Sequence, residues 1–182
     1  QNKGKMKKAF KTFGINCAEG KEFSNINSAE IYSKALLKKH SSIIIKPTDR
    51  SGSLSIQHIK SISQLTTAFN SAKKSSFTKA VLIEEYLSGD EYSIETISFK
   101  GVHKIIAITK KYTTGSPRFV ESGHFQPAEL NSSILKKIDI LIIKALNSLE
   151  ITNGISHSEI KILTDNKIKI IEVGGRMGGD FI

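Results

Sequence analysis

The chain has 182 residues, with 27 Lys and Arg against 17 Asp and Glu, for a formal net charge of +10. That length carries one globular domain, with room for a subdomain and a packed core, and an apolar share of 38% beside 24% charged residues excludes wholesale disorder. One cysteine, Cys17, excludes a disulfide framework and a thiolate metal cluster, and no apolar run approaches the length of a membrane span, so no membrane partner is expected.

In chain order, Met6, Ala9, Phe10 and Phe13 recur at helical spacing, which predicts a helix over 3–13 stopped by Gly14. A second helix is predicted over 28–39, capped by Asn27 or Ser28. The β-rich run 41–46 reads as a strand ending at Pro47, and the small polar stretch 48–53 as a loop. Ile62, Leu65, Phe69 and Ala72 mark a third helix, which Ser61 and Gln64 open with a capping box. Residues 81–86 read as a strand, and 91–99 with 102–108 as a hairpin about Lys100-Gly101. Residues 113–130, with Gly115, Pro117, Gly123 and Pro127, read as a long irregular segment, a length that points to function or mobility. Ile134, Ile138, Leu141, Ile142, Ala145 and Leu149 make the clearest amphipathic helix. Two strands follow, about 155–163 and 168–173, turning at Asp165-Asn166, and the end is glycine-rich. Helices mixed with antiparallel hairpins make the class α+β.

The last hairpin carries the sharpest signal. A two-residue turn at Asp165-Asn166 sets Glu159 directly opposite Glu172, with Cβ atoms ~5 Å apart. Like charges so placed repel, and a hard divalent cation held by oxygen ligands resolves the conflict; removing both charges should then leave the metal-free chain as stable or slightly more stable. The bland alternative is two strand carboxylates offset by Lys161 and Lys169. His157, two residues before Glu159 on the same face, reads as a packing or supporting residue. Lys46 ends an apolar strand beside Ser51-Gly52-Ser53, a lysine and a run of amides suited to phosphate oxygens, though a solvated connector has the same composition. Glu84-Glu85-Tyr86-Leu87 with Glu91 is an acidic strand end that can hold an adenine and its ribose, or simply enter a hairpin. Glu121-x-Gly-His124 lies in the irregular segment, and Arg176 sits among glycines, free to reach a carboxylate or phosphate. The Walker, Rossmann and G-x-S-x-G patterns are absent, and Cys17 reads as a buried structural thiol.

The positive charge also suits nucleic acid. The basic residues, however, are scattered as single lysines or pairs, only three are arginine, and aromatics are not interleaved with them. No nucleic-acid partner is expected; a polyanionic small ligand would use the same field. No apolar stretch follows the charges of the first eight residues, so no secretory signal is expected and a reduced, cytoplasmic setting is. From the start at Gln1 rather than Met, a piece of something longer or a processed chain is expected.

Taken together and in this order, the segments resemble the ATP-grasp superfamily of carboxylate–amine ligases. Asn2-Lys3 with Met6-Lys7 and Gly14-Ile15 looks like the family's opening helix, whose early lysine touches the nucleotide phosphates. Ile44-Ile45-Lys46-Pro47 with Ser51, Gly52 and Ser53 looks like the phosphate lysine and the flexible flap. Glu84, Glu85, Tyr86 and Leu87 are similar to the adenine hinge, with Glu91 at the ribose position; Glu159 and Glu172 match the two magnesium carboxylates. Arg176 matches the arginine that stabilises the acyl phosphate or holds substrate. Glu121-x-Gly-His124 and the run from Glu172 to Asp180 look most like the branch that includes L-amino-acid ligases. Two positions depart from the pattern: Gly174 stands where many relatives have a metal-binding Asn, and Leu54-Ser55 where relatives often have Arg-Gly.

The resemblance implies an ATP-grasp fold, two α+β subdomains gripping ATP between them. About 41–86 would form the small flap-bearing subdomain and about 87–182 the larger metal-binding one, and the family's usual preceding domain and C-terminal remainder are expected to be absent. It implies ATP and Mg²⁺, with Mn²⁺ as an alternative, small carboxylate and amine substrates, and a homodimer as an open option. The implied reaction is C–N bond formation through an acyl phosphate, with Lys3 and Lys46 on phosphate and Arg176 and His124 holding the charge of the intermediate. An isolated ATP-binding module without catalysis is the alternative, and a basic nucleic-acid binder a more distant one.

Overall fold

In the computed structural model, which describes residues 2–179, two antiparallel sheets each bury one face under helices and turn the other toward a shared cleft. The first helix, α1 (Lys3–Thr12), is capped by Asn2, whose side chain accepts the Lys5 N–H at 2.8 Å. Met6 and Phe10 lie one turn apart on its buried stripe and join the larger core, while Lys3 and Lys7, also one turn apart and also buried, leave on another side.

The smaller sheet runs β1 (Gly20–Phe23), β4 (Val81–Glu85), β2 (Ile43–Pro47), β3 (Gln57–Ile59) in spatial order. Period-2 alternation divides its residues. Ile43, Ile45, Val81 and Ile83 pack against α2 (Ile26–Lys39) and α3 (Leu65–Ser75), burying Leu36, Leu65 and Phe69. Ile44, Lys46 and Glu84 alternate with them and line the cleft. A 3₁₀ turn (Ile62–Gln64) leads into α3, and its Ser61–Gln64 capping box is formed as expected.

The larger sheet runs β7 (Glu121–Phe125), β6 (Val102–Thr113), β5 (Gly89–Phe99), β8 (Gly154–Leu163), β9 (Ile168–Gly174). The helix α4 (Ser132–Ser148) lies over one face with α1, and Ile138, Ile142 and Leu146 meet Ile94, Ile160 and Ile170 with no solvent exposure. Truncating one of these isoleucines to Ala would cost about 2–5 kcal/mol through lost burial and the cavity left behind.

Several expectations need correction. The second helix starts at Ile26 with Asn25 as its cap, because the Asn25 side chain accepts the Asn27 N–H at 2.8 Å. The irregular segment 113–130 contains a strand, β7, paired with β6; three of its five residues are Ser, Gly and His, so it lacks the apolar alternation that reveals a strand. The smaller sheet also begins well before residue 41: β1 pairs with β4 from Gly20, and α2 buries Ala29 and Leu36 in that core. Likewise α1 packs with the larger core although it precedes residue 87. Among the described residues no helix is long and apolar enough to cross a membrane.

Candidate functional site

A cleft lies between the sheets. Its small-sheet wall is organised by Glu84, which is buried and forms ion pairs with Lys46 and, at 2.6 Å, with Lys7. Burial alone would raise the Glu84 carboxyl, but the Lys46 and Lys7 ammonium groups outweigh it and pull the pKa down to about 2. Burial likewise works to lower Lys46, and the charges of Glu84 and Glu172 overcome it, so its pKa ends up raised and the group stays protonated. Lys7 also donates to the Ala18 carbonyl at 2.6 Å. The Glu84 side chain thus fixes the lysine that the resemblance assigns to phosphate.

Lys3 ties the flap to the large-sheet wall. Its backbone N–H donates to the Thr48 carbonyl at 2.8 Å, its ammonium donates to the Arg50 carbonyl, and the same ammonium lies 3.1 Å from Glu172. The flap is anchored at its base by Asp49, which accepts from Thr78 N–H and Oγ1, both at 2.8 Å, and from Ser76 Oγ at 3.1 Å. Beyond that anchor Gly52, Ser53 and Ser55 all have positive φ, of 66°, 55° and 57°. Two serines in the left-handed region cost about 1–2 kcal/mol each relative to ordinary backbone. Ser51, Gly52 and Ser53 line the cleft, and Ser53 Oγ donates to the Phe119 carbonyl at 3.2 Å across its mouth.

At the hinge, the Glu85 N–H donates to the Glu19 carbonyl (2.8 Å) and the Tyr86 N–H to the Ser42 carbonyl (3.2 Å). A contact from Glu85 to a base would therefore come from its carbonyl. The Glu85 carboxylate points into a network with the Glu19 N–H (2.7 Å), Lys169 and His40. The Tyr86 ring stacks on His58 with centroids 4.2 Å apart, and Phe119 tilts against both. Leu87 is buried beside them. Glu91 faces Lys161 (3.2 Å) and Lys111 (3.4 Å).

On the large sheet Glu159 stands directly opposite Glu172 on adjacent strands. The expected offset by Lys161 and Lys169 does not occur, since those lysines pair with Glu91 and Glu85. Lys111 and Lys3 do that work: Lys111 lies 2.7 Å from Glu159 and 2.5 Å from Glu121, and Lys3 meets Glu172. Burial would raise Glu159, but its contacts with His157 and Lys111 hold it well below the usual carboxylate range. Burial would lower Lys111, and Glu159, Glu121 and Glu91 push it up instead. His157 is buried against Glu95, with Nε2 3.6 Å from Glu159.

A hard divalent cation fits this donor set. Two carboxylates share one face of the cleft, and each already attracts a cationic group. Among the described residues no group of three His, Cys, Asp or Glu is arranged to hold a metal. Mg²⁺ commonly takes one or two carboxylates and leaves its other positions to phosphate oxygens and water.

Of the residues singled out in the sequence, Lys3, Lys46, Ser51, Gly52, Ser53, Glu84, Glu85, Tyr86, Leu87, Glu91, Glu159, Glu172 and Arg176 all line the cleft. His124 is not among the lining residues: it is paired with Lys111 on the neighbouring strand and lies 3.1 Å from the Glu121 carboxylate. Asp180 lies outside the described residues. Sequence reasoning missed Arg50, Lys111 and Glu95, and gave neither Lys7 nor Lys161 the partner it has here, Glu84 and Glu91. Lys7 carried a usable signal, one turn after Lys3 on the same helix. Lys111 did not, because its face depends on a bulge in β5–β6.

Residues 39–182 match the ATP-grasp domain family. The chain belongs to the ATP-grasp family. It is 27% identical to the alanine–anticapsin ligase of Bacillus subtilis across 98% of this chain and 42% of that protein. It is 28% identical to the D-alanine–D-alanine ligase of Flavobacterium johnsoniae across 94% of this chain and 54% of that one. The crystal structure of an L-amino acid ligase from Bacillus licheniformis superposes with a TM-score of 0.80 at 25% identity, covering 98% of this chain and 41% of that one. The chain thus spans about two fifths to a half of the length of these ATP-grasp relatives.

Proposed function

We propose that this ATP-grasp chain is the nucleotide- and metal-binding core of an ATP-dependent ligase that joins a small carboxylate to an amine, with an amino acid as one substrate. The observation that carries this reading is the opposition of Glu159 and Glu172 across a cleft whose other wall presents Lys46. The reading is supported by the ligase relatives, which include an alanine–anticapsin ligase and an L-amino acid ligase.

In this scheme Lys3 and Lys46 neutralise phosphate oxygens, and Glu84 keeps Lys46 in place. The hinge at Glu85 and Leu87 offers backbone groups to the base, and Glu91 is placed for the ribose hydroxyls. Glu159 and Glu172 would hold Mg²⁺, which supplies charge neutralisation at the phosphates when bound. Lys111 and Lys3, which pair with Glu159 and Glu172 in the free chain, would be available to phosphate oxygens once a cation took their place. Arg176 stabilises the charge on the acyl phosphate that forms when a substrate carboxylate oxygen bonds the γ-phosphorus and ADP leaves; the amine nitrogen then displaces phosphate. His124 would hold the Glu121 carboxylate in place. The flap excludes water that would hydrolyse the intermediate.

The test is phosphate release from Mg-ATP by the intact protein, screened over single amino acids and pairs. Release that depends on an amino acid, with formation of a dipeptide or amide, is the expected result. Binding of Mg-ATP without release under any pair would refute the ligase reading and leave a nucleotide-binding module.

A further inference from the structure

The scheme above uses neither Glu95 nor the particular path of the chain after β9. Glu95 lies on the cleft side of β5 and is 5% exposed, yet it does not line the cleft. A carboxylate buried so deeply is costly unless its oxygens are engaged. One oxygen contacts Nδ1 of His157, and the other accepts the Gly178 N–H at 3.2 Å.

Gly178 approaches so closely that a Cβ there would fall 2.8 Å from Glu95 Oε1 and 2.9 Å from His157 Nδ1. Its φ lies outside the left-handed region. Glycine is therefore favoured by the close approach and not by the backbone conformation. The chain leaves β9 at Gly174, which is itself paired with His157, and comes back onto the same histidine four residues later. Arg176 is at the apex of that excursion and lines the cleft. Its guanidinium bonds the Met177 carbonyl at 2.6 Å, a contact within the loop. That contact does not itself tie the guanidinium to the sheet.

We propose that Glu95 is a positioning residue: with His157 it clamps Gly178 onto the sheet and so fixes Arg176 over the cleft. The inference rests on the ligase reading for what Arg176 does, but not for the clamp itself.

Two variants disturb the contact from opposite sides. Glu95→Gln keeps the shape but offers one acceptor oxygen where the carboxylate offers two. Gly178→Ala drives a methyl group against both partners. The first measurement is amide exchange over 174–179 in the ligand-free chain. With Glu95→Gln the Gly178 amide should exchange about tenfold faster or more, the loss expected for a hydrogen bond to a charged group, while β8 and β9 keep their protection. Unchanged exchange at Gly178 overturns the clamp.

The second measurement is phosphate release from Mg-ATP by the intact protein with a mixture of the twenty amino acids. Both variants should lower kcat by ~10- to 100-fold with the KM for ATP nearly unchanged, the split expected when a reacting-end group is misplaced. In an Arg176→Ala background Glu95→Gln should cost nothing further. A full, additive loss in that background would show that Glu95 does not act through Arg176 and would overturn the proposal. An intact wild-type protein that releases no phosphate with any amino acid would sink the ligase reading alone, since the exchange measurement still decides the clamp.

Discussion

Changing Glu159 and Glu172 together to Gln distinguishes what the strand register alone implies from what the folded cleft implies. Two carboxylates directly opposite on a sheet repel by up to ~1 kcal/mol, so removing both charges should stabilise the metal-free chain. In the structure, however, Lys111 lies 2.7 Å from Glu159 and Lys3 lies 3.1 Å from Glu172. Hydrogen bonds to charged groups contribute about 1.5–3 kcal/mol each. The Gln side chains retain part of this, and Lys111 keeps Glu121 at 2.5 Å, so the low end applies. Two losses of about 1–1.5 kcal/mol, less the relieved repulsion, leave the double variant about 1–2 kcal/mol less stable. For a domain of this size that is a fall of roughly 2–8 °C in Tm. Thermal melts at pH 7 without divalent cation measure it. The same variant should lose the stabilisation that Mg-ATP gives the wild type, about 2.7 kcal/mol at a hundredfold excess over Kd. A metal-free Tm equal to or above that of the wild type would refute the claim that lysines neutralise the pair. An undiminished Mg-ATP shift would remove the metal assignment.

Glu84→Gln leaves Lys7 and Lys46 buried without their shared carboxylate and should cost about 3–5 kcal/mol, read by urea unfolding at pH 7. Because the folded pKa of Glu84 is depressed to about 2, its contribution is full above the unfolded value near 4.5 and disappears as pH falls toward 2. The variant should therefore show a shallower stability slope between those pH values, and equal slopes would count against the ion-pair assignment. Residues 48–56 should exchange their amides rapidly in the free chain and become protected with Mg-ATP analogue; equal protection in both states would remove the flap role. Glu91→Ala should weaken ATP binding by calorimetry far more than binding of free triphosphate, and equal losses would exclude a ribose contact.

The sequence by itself determined which stretches became elements wherever a periodic apolar pattern and a local cap acted together. The helices at Lys3–Thr12 and Ser132–Ser148, the Ser61–Gln64 capping box and the hairpin about Lys100-Gly101 all depend on interactions between near neighbours. It also pointed to most of the cleft residues, because lysine, glutamate and glycine at element ends are poor choices for packing alone. It gave less help with β1 and β7, short edge strands whose residues are mostly polar or small and whose pairing comes from distant chain.

Tertiary structure decided which face each strand residue took. The turn after β8 holds three residues, Thr164 to Asn166, closed by a Leu163 N–H to Lys167 carbonyl bond of 2.8 Å and a positive φ at Asn166. That register would put Ile171, not Glu172, opposite Glu159. A bulge at Ile171 adds one residue and restores the Glu159–Glu172 pair, so the expected pair is present through a different geometry. A second bulge, at Ile106, sets Lys111 rather than Lys110 opposite Glu91. Because side chains alternate with period two, one inserted residue exchanges the faces of everything beyond it. These insertions are accepted because the far ends of the strands must bury Val173 and Ile108 against the helices while their neighbours face the cleft. No pattern within either strand reports that demand; it comes from the layers packed on both sides of the sheet.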